Sequence, residues 1–393
     1  MKRLCITLTL IVAAITTCRP QTDEATVRPS ATLSFKHIVG DMPEEWYASD
    51  EACSAADSVV KYQFPSGGWA KNNNWHQTAE EGRLKARQEV WRQIHSDSGV
   101  GATIDNGATV TEMKLLAKVY KGLYKSGAKS KDTKQRMKTY RAAFIKGLDY
   151  LLEAQYDNGG WPQYYPHKPL DNEGHPFYSD HITFNDNAIY NVMQLLRDVY
   201  DDRKYFYKVL QIPQETKARL KEAFDRGIEC ILNCQVKKNG KLTVWCQQHD
   251  EHTLAPAPAR AYELTSLTGS HETPALIELL MSVDKPDERI VKAVTAAVEW
   301  LKAHTIRDMH VEYFVNADGK RDRRLVHRFG ANTWARYYDY ETEEPYVCDR
   351  DGKPQPSLEY IGYERRNGYG WYGNTPQEVI DAYPQWLGKT KQP

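Results

Sequence analysis

Two short stretches place carboxylate and amide oxygens side by side in front of an apolar, helix-periodic run. ATIDNGAT (Ala102–Thr109) carries Asp105 and Asn106, and HITFNDNA (His181–Ala188) carries Asn185 and Asp186. Singly, an Asp or Asn before a helix is an N-cap whose side-chain oxygen accepts a backbone N–H. Two such sites in one chain also offer hard oxygen ligands to Ca²⁺, which takes ~6–8 oxygens and shares them with an anionic ligand. The chain has no D-x-D-x-D-G loop, which excludes an EF-hand.

A second group is basic. Arg260 opens RAYELTS (Arg260–Ser266) after the proline-rich APAPA, Arg336 lies in WARYYD (Trp334–Asp339), and Arg350 sits in the Asp349–Gly352 turn. The guanidinium fork suits carboxylates, whether those of a ligand or those of a neighbouring Asp or Glu. Lys71 in GGWAKN is a further cation. Gln247–His252 offers two histidines to zinc but no third ligand at a recognised spacing.

These residues need elements to position them. Val110, Met113, Ala117, Tyr120 and Tyr124 keep a three-and-four spacing, as do Phe144, Leu148, Leu151 and Leu152. Ala188, Val192, Leu195, Leu196 and Val199 repeat it, and so do Val291, Val294, Val298 and Leu301. Strand-like alternation is confined to short pieces such as Leu242–Trp245 and Met309–Phe314. The pattern predicts an all-α array of helical hairpins closing on itself. Three apparent helices end in a Gln, then a Gly-containing turn, then a Trp: Trp69, Trp161 and Trp245. The glycines read as helix C-caps. The tryptophans, sharing one register, read as a rim of stacking platforms, with Trp161, Tyr164 and Tyr165 lining a groove; the plainer reading is that each Trp plugs a helix end.

Composition bounds the partners. The 393 residues include 52 Lys+Arg and 52 Asp+Glu, so no global field recruits nucleic acid or a membrane. Lys2 and Arg3 precede an apolar run, Ile6–Ile15, too short to span a bilayer and suited to an export signal over residues 1–18. Cys18 stands where a lipoprotein signal places its lipidated cysteine, although Thr17 departs from the usual small residue, so a lipid anchor and plain cleavage both stay open. Residues 19–45 read as a polar linker and 46–391 as the folded unit, expected to be an exported monomer: periplasmic, surface-held or secreted. Five further cysteines are too few for a disulfide framework. Cys230 and Cys234, one helical turn apart, read as small buried apolar groups.

GGWPQYYP, HITFNDNA, VWCQQHDEHTLAPAPARAYELTS, WARYYD and ERRNGYGWYG together resemble the pectate lyases of polysaccharide lyase family ten, in order from about Asp50 to about Gly373. Thr265 stands where the family usually has Pro, and Lys125–Thr139 looks like a basic insertion affecting loop lengths. The resemblance implies an (α/α)₃ toroid that cleaves polygalacturonate by calcium-assisted β-elimination. It implies Arg260 as the base, and Asp186, Asp105 and Asn106 as holders of calcium. Arg336, Arg350, Lys71, Asn185 and Trp161 would bind substrate. A glycoside hydrolase using a carboxylate pair, recruited from Asp105, Asp186, Asp250, Glu251 or Glu263, is the enzymatic alternative. A non-catalytic pectin-binding surface protein is the other.

Overall fold

The computed structural model describes residues 33–76, 101–127, 129–166, 178–259 and 264–390. In chain order the helices are α1 (Phe35–Gly40), α2 (Asp50–Lys61), α3 (Val110–Ser126), α4 (Lys131–Glu153), α5 (Ala188–Tyr200), α6 (Tyr205–Lys208), α7 (Gln214–Cys234), α8 (Glu272–Met281), α9 (Glu288–Ala303), α10 (Tyr363–Gly368) and α11 (Thr375–Thr390). Their apolar faces build two layers. In one, α2, α4, α7 and α9 follow one another side by side; in the other, α3, α5, α8 and α11 do the same. The hairpins α3–α4, α5–α7 and α8–α9 join the layers. The architecture is the all-α toroid of helical hairpins that the periodicity predicts.

The helix-ending motif is a clamp repeated around this array. The indole N–H of Trp69 donates to Val59 O at 2.7 Å, that of Trp161 to Leu151 O at 2.8 Å, and that of Trp245 to Ile231 O at 2.7 Å. Each indole thereby satisfies a carbonyl that the end of a helix leaves without an intrahelical partner. The preceding glutamines bridge forward: Gln63 donates to Ala143 O, Gln155 to Ala223 O and Gln235 to Ala293 O, at 2.8–2.9 Å. Each glutamine thus ties one helix of the first layer to the next. A fourth copy was not visible in the sequence, because a long strand excursion separates Trp334 from α9, whose Leu301 O it caps at 2.7 Å.

Three expectations change. Trp69, Trp161 and Trp245 have no exposed surface, so they are plugs rather than platforms. The glycines are not the helix C-caps. The caps are Tyr62 and Ala154 with negative φ, and the glycines lie further on, where Gly67 (φ +106) and Gly159 (φ +89) approach the next helix so closely that a Cβ would meet Lys146 O at 2.4 Å or Arg226 O at 2.1 Å. The segment Lys125–Thr139 is largely helical, lengthening α3 and α4 around a Gly127 turn and the Ser130 N-cap.

The core also begins earlier than Trp46. Ser34 caps α1, and Phe35, Ile38 and Val39 are buried. Cys53, Cys230, Cys234, Cys246 and Cys348 are buried free thiols, with the Cys230 and Cys234 sulfurs 3.9 Å apart. Short strands stitch the loops: β1 (Ile182–Thr183), β2 (Lys237–Lys238), β3 (Lys241–Leu242), β4 (Gln248–His249) and β5 (Ser266–Thr268). Beyond α9 the chain leaves the helical pattern. β6 (Ile306–Val315) and β7 (Arg321–Ala335) form a long antiparallel ribbon, interrupted by a bulge opposite Asp308. β8 (Tyr337–Asp339), β9 (Pro345–Cys348), β10 (Pro354–Gln355) and β11 (Tyr372–Gly373) follow, and β11 pairs with the last residues of β7.

Candidate active site

The clamps position more than helix ends. The residue two places after each plug is polar: Lys71, Gln163, Gln247 and Arg336. After the first three plugs the tryptophan carbonyl accepts the N–H of a threonine at 2.8–3.0 Å, from Thr103, Thr183 and Thr268. The first two threonines lead directly into the acidic turns. In Asp105–Gly107, Asn106 has φ 54, and in Asn185–Asn187, Asp186 has φ 52. Asn and Asp tolerate that left-handed conformation better than most residues. These motifs are therefore tight turns in front of α3 and α5, and neither helix shows a side-chain N-cap bond. The two turns pack against one another.

A cation sits on each carboxylate. Lys71 Nζ pairs with Asp105 Oδ2, whose other oxygen accepts the Asn106 N–H at 2.9 Å. The Asn106 amide donates to Asn72 at 3.1 Å. Burial alone would lower the Lys71 ammonium pKa, but the charge of Asp105 outweighs it and raises the value. Arg336 is buried, and its Nη2 donates to Asp186 Oδ1 at 2.9 Å and to Asn185 Oδ1 at 3.1 Å. Burial alone would raise the Asp186 carboxyl; the adjacent Arg336 charge and hydrogen bond hold it below its ordinary value, and Lys71 adds to the effect.

Beneath them lies Glu272, first residue of α8, with no side-chain exposure. It takes Arg336 Nε at 3.0 Å on Oε1, and the same oxygen accepts the Asp186 backbone N–H at 3.2 Å. Burial would lower the Arg336 pKa, but the charge of Glu272 raises it well above the ordinary arginine value. Arg336 is thus a permanent cation and no proton acceptor. The Tyr369 ring lies 4.8 Å from its guanidinium carbon and the Tyr337 ring 5.3 Å. Exposed His271 completes a set with Asp186 and Glu272 whose ligand atoms lie within 4.8 Å of one another.

Neither Glu272 nor His271 stood out in the sequence, where a Glu in SHETP reads as an ordinary first-turn acid favoured by the helix dipole. Its complete burial is the feature that sets it apart. Asp105, Asn106, Asn185, Asp186, Lys71 and Arg336 lie together around the two turns. Arg336, however, is engaged by the protein's own carboxylates rather than offered to solvent. Trp161 belongs to the scaffold, since its ring has no surface on which a sugar could stack. Tyr164 is buried beside Lys71, whose Nζ lies 5.6 Å from its ring centroid. Arg350 makes a two-pronged, exposed pair with Glu364 at 2.8 and 3.0 Å. Arg260 and Glu263 lie outside the described residues.

The donor types fit a hard divalent cation, because two turns that pack together each carry a carboxylate and an amide oxygen. Zinc at His249 does not fit. That buried ring pairs through Nδ1 with Leu254 O at 2.9 Å and accepts the Cys246 N–H on Nε2 at 3.3 Å, leaving no nitrogen for a metal. His181 instead pairs with Glu251 at 2.9 Å.

Comparison with known proteins assigns this helical toroid, with its acid–cation cluster at the turns of its hairpins, to a family. Residues 63–380 match the family described as pectic acid lyase. Among solved structures, the family 10 polysaccharide lyase from Cellvibrio cellulosa is 32% identical with a TM-score of 0.66, covering 88% of this chain and 96% of that one. A mutant of that family 10 polysaccharide lyase in complex with trigalaturonic acid is also 32% identical, with a TM-score of 0.67 over 87% of this chain and 95% of that one. No curated protein matches the chain. The chain belongs to the pectic acid lyase family, and it is a pectate lyase.

Proposed function

We propose that the enzyme cleaves α-1,4-linked polygalacturonate by calcium-assisted β-elimination, with Arg260 as the base, releasing unsaturated oligogalacturonides. The observation that carries this reading is the pairing of the Asp105 and Asp186 turns, each carboxylate already balanced by a fixed cation. The complex of the Cellvibrio cellulosa relative with trigalaturonic acid supports an oligogalacturonate as ligand.

Elimination requires removal of a ring proton beside a uronate carboxylate, and that proton is hardly acidic while the neighbouring group is a full anion. Asp105, Asn106 and Asp186 would hold calcium, which when bound neutralises the carboxylate and stabilises the charge that develops. Arg336 and Glu272 hold the Asp186 turn rigid, so this electrostatic arrangement needs no reorganisation during the reaction. Lys71, partly exposed beside Asp105, would meet a sugar carboxylate. Arg260 would take the proton, and the bond to the 4-linked oxygen then breaks, leaving a ring double bond.

Ultraviolet absorbance on polygalacturonate, with calcium and with a chelator, tests this. The reading requires absorbance that rises with calcium and disappears with chelator. New reducing ends without absorbance would favour the carboxylate-pair hydrolase, and tight binding without either would favour a binding protein. We further propose export through residues 1–18; cell fractionation of the full chain checks it.

A further inference from the structure

The β6–β7 ribbon differs from the rest of the surface in both charge and exposed apolar area. Elsewhere, each exposed arginine among the described residues sits against a carboxylate: Arg203 with Asp201, Arg219 with Asp149, Arg289 with Glu229 and Arg350 with Glu364, at 2.8–3.6 Å. On the ribbon, Arg307, Arg321 and Arg328 are exposed and make no ion pair with a described residue. Arg321 lies over the Tyr313 ring at 4.3 Å. Of the ribbon's acids, Glu312 is taken by Arg324 and Asp322 by Arg366, while Asp308 accepts the Gly330 N–H and, like Asp318, forms no ion pair with a described residue.

Three of the seven large hydrophobic side chains exposed among the described residues lie on the same element. Phe329 is 90% exposed, Val315 71% and Tyr313 53%. Phe329 stands beside Arg328 in the bulge, where Gly330 (φ +78) donates to Asp308 at 2.7 Å. A run of exposed apolar side chains rimmed by polar ones is a mark of an interaction site.

A groove of about 470 Å³ runs along this ribbon, lined by Met309, Tyr313, Asn332 and Thr333 on one side and by Tyr372 and Asn374 on the other. That volume lies within the ~300–1,000 Å³ of sites that hold small ligands. Arg307 is cross-strand from Asn332, one of the groove residues, and lies on the same face of the ribbon as it. The groove also leads to the acid–cation cluster. Gly373, on its far wall, pairs with Trp334, two residues before Arg336, and abuts Ser270, the residue before His271.

We propose that the β6–β7 ribbon is a second docking surface for the polyuronate chain, in which Arg307, Arg321 and Arg328 take sugar carboxylates and Tyr313 and Phe329 take the apolar faces of sugar rings. The proposal rests on the substrate class given under Proposed function. It follows from charge complementarity, because guanidinium forks with no carboxylate partner among the described residues match the regularly spaced carboxylates of such a polymer, and from continuity with the cluster.

The test is the full-length triple variant Arg307→Ala/Arg328→Ala/Phe329→Ala, with circular dichroism melting to confirm folding. In native electrophoresis through gels containing polygalacturonate, the parent should be retarded and the variant much less so. KM on long polygalacturonate should rise about tenfold, with kcat and all constants on trigalacturonate unchanged. Unchanged retardation and polymer KM would overturn the proposal, as would an equal rise of KM on polymer and trimer. Binding lost only to phosphatidylglycerol vesicles would overturn it too, by assigning the ribbon to a membrane. A parent that is retarded but inactive would sink the lyase reading and leave the ribbon surface standing.

Discussion

Arg336 donates through Nε to Glu272 at 3.0 Å, and the oxygen that accepts it also takes the Asp186 N–H at 3.2 Å. One buried carboxylate therefore orients the arginine and the acidic turn together. Glu272→Gln keeps the shape but leaves Arg336 short of its charge partner, and breaking a buried pair costs about 3–5 kcal/mol. We expect denaturant melts to show a loss of that order. We also expect kcat on polygalacturonate to fall by about tenfold or more in the folded fraction. A variant with parental stability and rate would show that the pair is dispensable.

Lys71 acts on the other turn, and its ammonium competes for the oxygen a metal would use. Lys71→Met should tighten calcium binding by about tenfold, since an opposing charge close to the site is removed, while KM for substrate rises. Titration calorimetry with calcium alone reads the first effect. Unchanged or weaker binding would place the metal away from Asp105.

Trp161 should matter to folding and not to sugar binding. Trp161→Ala empties a buried site and removes the cap on Leu151, with an expected loss of about 3–5 kcal/mol, while KM of the folded enzyme stays at the parental value. A selective rise in KM with unchanged melting would restore a platform role.

Two buried groups make stability depend on pH in opposite directions. Burial pushes the Glu112 carboxyl up to about 7 from 4.5, although Trp75 donates to it at 2.7 Å. The folded state thus binds that proton more tightly than the unfolded state, and the stability so gained below pH 4.5 is lost as pH rises through 7. Burial holds His249 down to about 4 from 6.5, so its contribution is complete above 6.5 and is lost as pH falls toward 4. Glu112→Gln should therefore stabilise the protein at pH 8, by up to about 3 kcal/mol, and do little at pH 4.5. Melting curves at the two pH values that run parallel for parent and variant would contradict this.

The acidic turns were legible because carboxylate and amide oxygens cluster before apolar periodic runs, a local signal. Long-range pairing was not. Glu272 acquires its role only when Arg336, far along the chain, is folded against it, and Trp161 resembles an exposed aromatic until the end of α4 closes over it. The ribbon was read as a short strand because the Arg321–Arg324 charge run hides the alternation of β7, while its mate β6 carries polar groups on both faces. α1 reads as linker in the sequence because three apolar residues among polar neighbours give no clear period. The hairpins themselves were readable, since each rests on a helix-long repeat of apolar spacing.

The four indole plugs have a consequence for how such an enzyme can change. Each fixes the height and direction of the side chain two residues later, so Lys71, Gln163, Gln247 and Arg336 occupy equivalent sockets on a shared scaffold. The outer two now hold charges and the middle two hold amides whose Oε1 atoms are buried without a hydrogen bond. Chemistry can therefore be exchanged one socket at a time while the scaffold stays intact. Inserting a single residue between plug and socket would instead turn the side chain to the opposite face of the extended chain. The spacing, more than the identity of the socket residue, is what descendants of this chain must keep.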